Sequence, residues 1–347
     1  MSFWDTGKPF KVLKLSPVFH SEPAWKKFEE ENENVTIVET EASTPQEFVL
    51  ELESGKYKDL NFISHTWKSD IVTGPFNRGL LELIKKHTQV KGIAHSAAGY
   101  DRIDAVACGE LGIQLSNVSD AVAPATADTN VFLILSTTRN FQLAHDSLMK
   151  GQWKNGMNIG MSIQHATIGI LGMGNIGRAI RDRLLGFGVK KILYYNRSRL
   201  PSELEKDSEY CSTIEELVSK SDVISISLPL NENTYHLINA DLIGHMKNGV
   251  VIVNTGRGAV VDEASIKEGI KSGKIRSYGS DVFENEPNVD QELVNMSQVV
   301  SLPHFGGSTL ETHIDMENDV VRNVESFYKT GLVKNLVPDH KGLFQHL

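Results

Sequence analysis

Three polar residues in the second half of the chain stand where apolar runs end. Arg257 lies in VVIVNTGRGAVVDE, Glu286 in SYGSDVFENEP, and His304 in VVSLPHFGGST directly after Pro303. Each run reads as a β-strand, and in open α/β sheets ligands bind outside the carboxyl ends of the strands. An arginine, a glutamate and a histidine converging there suit reduction of a 2-keto acid by a nicotinamide. The substrate carboxylate needs a cation or a nest of N–H donors. The carbonyl oxygen gains negative charge as hydride reaches carbon, so it needs a donor and then a proton. Arg257 can hydrogen-bond both carboxylate and carbonyl. His304 as imidazolium can give the proton, a step typically contributing about 10²–10⁴-fold. Glu286, paired with His304, would steady the charged ring and fix its orientation.

A second signal lies in ATIGILGMGNIGRAI. It holds G-x-G-x-x-G at Gly172, Gly174 and Gly177, after an apolar strand and at the start of a helix, the context that dinucleotide binding requires. Gly172 permits the tight turn, Gly174 lets the backbone approach a pyrophosphate, and Gly177 allows helix and strand to pack closely. The helix start, with Asn175 and Ile176, offers free N–H groups and a partial positive charge to the phosphates. Nineteen residues after Gly177 the chain reads YYNRS, where an acid often binds the ribose 2′-hydroxyl of NAD; Asn196 stands there instead. Asn196 removes a charge that would repel a 2′-phosphate, Arg197 offers a planar fork of donors, Ser198 adds a hydroxyl and Arg199 a second charge. The pattern predicts NADP(H) in preference to NAD(H).

The elements that must hold these residues alternate along the chain. Strands are predicted at 11–16, 35–39, 60–65, 90–96 and 113–117, with helical patterns between them. A long apolar helix pattern covers 121–145. A second series of strands follows at 166–171, 191–195, 222–228, 250–255, 277–283 and 298–304, and an amphipathic helix at 315–331 stops at Gly331. This predicts an α/β protein with two doubly wound parallel-sheet domains. Because the glycine-rich turn lies mid-chain, a Rossmann cofactor domain is expected at 119–318, inserted into a split, flavodoxin-like substrate domain made of 1–118 and 319–347.

Bulk properties exclude several classes. The net charge is −9 and no basic run is long enough to track nucleic acid. No apolar run approaches the roughly 20 residues of a membrane span. MSFWDTGKPF has no apolar signal core, and the terminal QHL is no retention or peroxisomal tripeptide. Cys108 and Cys211 form no disulfide framework, which suits a reducing, cytoplasmic setting. None of the twelve histidines falls in a metal-binding spacing, so no metal site is expected. His65 and His95 end outer-domain strands, where contact with substrate, packing and solvent contact are all open.

Taken in order, GMGNIG, NTGRGAVVDE, DVFENEP and LPHFGG resemble the D-isomer-specific 2-hydroxyacid dehydrogenases over nearly the whole chain. VSDAVAPATADTNVFLILSTTRNF and SLPLNENTYHLIN look like the fungal glyoxylate reductase and hydroxyisocaproate dehydrogenase branch. The resemblance implies Arg257 as the substrate-binding arginine and Glu286 as partner of the acid/base His304. It implies that the backbone of Ala97, Ala98 and Gly99 cradles the substrate carboxylate, and that Thr126 and Asp281 contact the nicotinamide end. Leu228, Pro229 and Thr255 would line the cofactor groove, with Thr234 and Gly306 completing the candidate cofactor set beside Arg257 and His304. Similar proteins are homodimers. Departures from the family pattern are Asn196, Gly256 where Ala or Cys is frequent, Ser280 for Leu, and Phe305 for Ile or Met; the last two are expected to reshape the pocket. The expected activity is NADPH-dependent reduction of glyoxylate, hydroxypyruvate or branched 2-keto acids. A dinucleotide-sensing, corepressor-like binding protein on the same fold is the alternative, weakened by the intact Arg–Glu–His trio and the lack of a long disordered tail. A formate dehydrogenase reading lacks its usual Gln–His pairing, since Glu286 is present.

Overall fold

The computed structural model describes residues 8–344; the terminal segments read for targeting signals extend into 1–7 and 345–347, which lie outside the described residues. The chain divides into two compact units, one of Met1–Val122 with Thr309–Leu347 and one of Ala123–Ser308.

The first unit holds five strands: β1 (Phe10–Lys14), β2 (Val35–Glu39), β3 (Leu60–His65), β4 (Gly92–His95) and β5 (Gln114–Ser116). All pair in parallel, in the order β2-β1-β3-β4-β5. That is the flavodoxin-like order. β3 is buried at every residue, as a central parallel strand covered on both faces must be. One covering layer comes from the far end of the chain. The helix Leu310–Thr330 starts at Thr309, whose hydroxyl accepts the Thr312 N–H, and stops at Gly331 in the left-handed region. It lays Phe327 against Phe10 and Phe62. The helix therefore begins earlier than the pattern at 315–331 predicts, and the expected boundary at 318/319 falls inside it; the unit resumes at Thr309.

The second unit holds β6 (Thr167–Leu171), β7 (Lys191–Tyr195), β8 (Glu209–Tyr210), β9 (Val223–Ile226), β10 (Val250–Asn254), β11 (Ile275–Ser280) and β12 (Val299–Ser301). The order is β12-β11-β10-β9-β6-β7-β8, all parallel. Counted from β6 this is the Rossmann order with one further strand. The direction of winding reverses between β6 and β9, and the glycine-rich turn follows β6, so the turn sits at the switch point where such sheets bind ligands.

The apolar pattern at 121–145 forms two helices, Ser119–Arg139 and Phe141–Met149, separated by Asn140 in the left-handed region. Thr137 and Thr138 bond back to the carbonyls of Leu133 and Ile134 just before the break, a contact that competes with regular helix continuation. The long helix buries Ala127, Val131, Leu133 and Ile134 in the same cluster as Ile168 and Val253 of the sheet. It also contains the 122/123 boundary, four residues beyond the expected 118/119. Among the described residues no helix is long and apolar enough to cross a membrane.

Candidate active site

The glycine-rich turn leaves β6 through Gly172 at a φ of 93°. A Cβ on Gly172 would lie 2.6 Å from the Ser227 carbonyl oxygen, and one on Gly177 only 2.1 Å from the Gly172 oxygen. Both positions exclude side chains because of the protein itself. Gly174 is different: an added Cβ would meet nothing within 4 Å. The fold leaves open space there, on the N-terminal side of the helix Asn175–Gly186. That space, beside helix N–H groups, fits the diphosphate of a dinucleotide.

Asn196, just past β7, does more than omit an acid. Its side-chain oxygen accepts the Met173 N–H at 2.7 Å and ties the glycine turn to the second strand. Arg197 and Ser198 are exposed, and no protein partner for either occurs among the described residues. Arg199 is committed elsewhere: its guanidinium bonds both carboxylate oxygens of Glu205. The second charge expected for a 2′-phosphate is thus already neutralised, and Arg197 is the available fork.

After β9, Thr234 donates to the Pro229 carbonyl at 2.7 Å and accepts the Asn231 N–H at 2.8 Å, which closes the turn beyond Leu228. Thr255, after β10, accepts from the Asn130 amide at 2.8 Å, while the Asn130 oxygen accepts from Ser225 at 3.0 Å. Asn130 is fully buried in the long helix. Nothing in its local sequence marks it, because its partners lie across the sheet.

Arg257 is set by Asn254 at the end of β10. One amide bonds in both directions, accepting the Gly256 N–H at 3.0 Å and donating to the Arg257 carbonyl at 2.9 Å. A Cβ on Gly258 would overlap the Phe283 carbonyl carbon at 1.9 Å, so the arginine turn lies directly against the start of the glutamate turn. Gly256 is equally confined, with Leu228 O 2.7 Å from its notional Cβ. Close backbone approach accounts for glycine where Ala or Cys is frequent in the family.

Glu286 accepts the Phe283 N–H on one oxygen at 2.8 Å and faces His304 Nδ1 with the other at 2.7 Å. Burial pushes the Glu286 carboxyl up. The bond and charge of His304 outweigh it, helped by the Phe283 N–H and the Arg257 charge, and hold it below the ordinary carboxylate range. His304 adopts a φ of 55°, a region disfavoured for non-glycine residues and tolerated where surroundings enforce it. Asp281 supplies the enforcement. Its carbonyl accepts the His304 N–H at 2.7 Å, and its two carboxylate oxygens accept the N–H groups of Phe305 and Gly306 at 2.6 and 2.8 Å. A Cβ on Gly306 would sit 2.8 Å from Asp281 and 3.6 Å from Thr126 Oγ1, so these three candidates are neighbours. Burial, opposed by these N–H groups, raises the Asp281 carboxyl above its ordinary value.

Ser280 is fully buried and donates to the Val282 carbonyl at 2.7 Å. It shapes the turn rather than a pocket. Phe305 stands exposed next to His304. A second histidine–carboxylate pair escapes sequence reading: His236 Nε2 lies 2.7 Å from Glu284, and the His236 N–H donates to the Ala259 carbonyl, linking the turns of Arg257 and Glu286.

Ala97, Ala98 and Gly99 belong to the first unit, just after β4. Their carbonyls are all tied down: Ala97 to the Val118 N–H, Ala98 to the Asn117 amide at 2.6 Å, Gly99 to His95 at 3.0 Å. The N–H groups of the three residues have no partner among the described residues. A half-buried run of N–H groups without partners among the described residues offers donors of the kind that bind anions. His65 and His95 do not face open space; they are 1% and 5% exposed and bonded to each other. Among the described residues no group of three or more His, Cys, Asp or Glu is placed to hold a metal.

Dinucleotide-dependent oxidation and reduction is the class that this fold and these residues define. Comparison with known proteins narrows it. Residues 131–306 match the model of the D-isomer specific 2-hydroxyacid dehydrogenase, NAD binding domain. The chain is 42% identical over 335 residues to glyoxylate reductase 1 of Saccharomyces cerevisiae, covering 94% of each chain. It is 41% identical over 333 residues to 4-methyl-2-oxopentanoate reductase A of Aspergillus oryzae, covering 96% of this chain and 99% of the other. The crystal structure of a glyoxylate reductase from Paecilomyes thermophila superposes with a TM-score of 0.90 at 38% identity, covering 96% of this chain and 99% of that one. The chain belongs to the D-isomer-specific 2-hydroxyacid dehydrogenase family, in its fungal branch.

Proposed function

We propose that the protein reduces small 2-keto acids to D-2-hydroxy acids with NADPH, glyoxylate and hydroxypyruvate first and branched 2-keto acids such as 4-methyl-2-oxopentanoate next. The observation that carries this reading is the Glu286–His304 pair at 2.7 Å, in which Nδ1 is engaged and Nε2 remains for a substrate. The bound nicotinamide supplies the hydride. In the first unit the N–H groups of Ala97, Ala98 and Gly99 offer donors suited to a carboxylate, and in the second the guanidinium of Arg257 is suited to orient the substrate and polarise its carbonyl. His304 delivers a proton from Nε2 to the carbonyl oxygen as negative charge develops there. Glu286 keeps its charge throughout and balances the imidazolium. In the reverse direction the neutral ring takes the proton back.

The cofactor choice rests on the stretch YYNRS. Asn196 presents no charge to repel a 2′-phosphate, and Arg197 and Ser198 are exposed donors. The corepressor-like alternative has no observation in its favour. A homodimer is supported by the number of exposed apolar side chains on the second unit, among them Phe132, Phe141, Leu148, Met149, Trp153 and Ile159. Both cysteines are buried and unpaired, in keeping with a cytoplasmic setting.

Initial rates for a panel of 2-keto acids, with NADPH and NADH in parallel, test the proposal. A strong NADPH preference with glyoxylate, hydroxypyruvate or a branched acid among the best substrates is expected. Turnover mainly with NADH would keep the chemistry and overturn the cofactor reading. Cofactor binding without turnover of any 2-keto acid would overturn the reaction.

A further inference from the structure

We propose that His95 is a positioning residue for this reaction: it holds the Gly99 carbonyl, and His65 with Asp70 and Arg102 holds His95 in the only tautomer that can do so. The inference rests on the reading of Ala97–Gly99 as the carboxylate-binding turn.

The direction of each bond follows from which atoms can donate. The Gly99 carbonyl, 3.0 Å from His95 Nε2, can only accept, so Nε2 carries a proton. In a neutral ring His95 Nδ1 is then an acceptor. It lies 2.9 Å from His65 Nδ1, which must therefore donate. That leaves His65 Nε2 as a lone pair facing Asp70 Oδ1 at 3.5 Å, and neither atom has a hydrogen-bond partner. One added proton on His65 Nε2 would turn this gap into a charge-assisted bond. It would leave the rest of the chain unchanged. The second Asp70 oxygen is paired with Arg102, and the Phe76 ring closes over His65 edge-on at 4.7 Å.

The neutrality this scheme demands of His95 agrees with its surroundings. Burial pushes it down to about 3, and the adjacent His65 adds to the effect, against weaker opposing contributions from the Gly99 carbonyl, Asp70 and Asp101. A charged His95 would present an N–H to the His65 N–H and break the chain. The geometry also assigns a consequence. In a trans peptide the C=O and the following N–H point in opposite directions. Tying the carbonyls of Ala97 and Ala98 to Val118 and Asn117 aims the N–H groups of Ala98 and Gly99 away from the protein. The His95 bond to Gly99 fixes the end of that turn. The Gly99 carbonyl belongs to the Gly99–Tyr100 peptide, so loss of the His95 bond frees the glycine that follows the cradle peptides, and the cradle is loosened from that end without losing a donor.

The test uses the full-length protein with His95→Leu, His95→Gln, His65→Phe and Ala98→Pro. Readouts are KM and kcat for glyoxylate at saturating NADPH, the Kd of oxamate on the NADPH-loaded protein, and the Kd of NADPH. His95→Leu is expected to raise KM and the oxamate Kd roughly ten- to a hundredfold, the range for losing a hydrogen bond that serves a charged group. The NADPH Kd stays unchanged and kcat changes less than KM. His95→Gln keeps an amide donor toward Gly99 and recovers most of the loss. If His95→Leu does not fold, His65→Phe carries the same test, because it removes the donor that fixes the tautomer. Unchanged oxamate binding in the folded variant would overturn the proposal, as would an equal loss in KM, kcat and NADPH binding. Ala98→Pro deletes one free N–H and separates the two claims. If it leaves KM unchanged, the carboxylate turn itself is misassigned; if it raises KM while the histidine variants do not, the turn stands and the positioning role falls.

Discussion

Replacing Glu286 by Gln removes a negative charge from beside His304 while keeping an acceptor for its Nδ1–H. Two unit charges 2.7 Å apart attract by ~1.5 kcal/mol in water and ~6 kcal/mol at an effective dielectric of 20. The side chains are 49% and 34% exposed, so solvent screens the pair and the lower figure applies. About 1.5 kcal/mol corresponds to roughly tenfold in the rate of a step that passes through the charged ring. Glu286 is held below the ordinary carboxylate range, so it presents a negative charge to the ring.

Reduction consumes an imidazolium and oxidation of a D-2-hydroxy acid forms one, so both directions pass through a charged ring that Glu286 stabilises. Glu286→Gln is expected to lower kcat/KM by up to about tenfold, and by the same factor in both directions at one pH, because the overall equilibrium is unchanged. The assay is kcat/KM in both directions at one pH, with the NADPH Kd beside it. Unchanged rates would remove Glu286 from the mechanism, and a matching loss of NADPH binding would show that it acts on the fold instead.

Four further outcomes are expected. Arg197→Ala weakens NADPH roughly ten- to a hundredfold in a binding titration, with NADH within about twofold, because the lost donors serve only the 2′-phosphate; equal weakening of both would locate the phosphate elsewhere. His304→Asn lowers kcat by about 10²–10⁴-fold with the NADPH Kd preserved, and a normal kcat would remove His304 as the acid. Asp281→Asn leaves one of the N–H groups of Phe305 and Gly306 without an acceptor and lowers stability by about 1–3 kcal/mol in denaturant titration, with kcat falling as His304 loses its fixed backbone; full stability would contradict the bonds described. Gly258→Ala puts a methyl group on the Phe283 carbonyl and costs about 3 kcal/mol or more, read as a lowered midpoint of thermal unfolding, and an unchanged midpoint would mean the turns are not in contact.

The parts of this protein that were legible in its sequence are those where spacing and geometry coincide. A strand, three glycines and a helix start form one local unit, so the turn after β6 is read as easily as it folds. The polar residues after β10, β11 and β12 are similarly marked by the apolar runs that precede them. What escaped depends on partners far along the chain. Asn130 reaches Thr255 across 125 residues, and His65 meets His95 only because β3 and β4 are neighbours in the sheet. Adjacent arginines in RSR look equivalent until Glu205 takes one of them. The break at Asn140 and the two-residue strand β8 lie below what periodicity resolves, and both are settled by packing.

These hidden residues share a task. Asn254, Asp281, Asn117 and His95 each spend side-chain polar atoms on main-chain groups of a turn that carries a functional donor. Nearly every buried polar group must find a partner, and here the partner chosen is the backbone beside the site. A turn whose carbonyls are engaged can only turn its free N–H groups outward. Arg257, His304 and the Ala97–Gly99 turn are thus each held through the backbone. Such a holder cannot be recognised by its own chemistry, since asparagine and aspartate do this in most turns. It is recognised by what has no partner among the described residues: the three N–H groups after β4 and the outer nitrogen of His304. Substitutions at the holders should accordingly alter affinity for the carboxylate or the rate of proton transfer while every substrate-facing group remains in place.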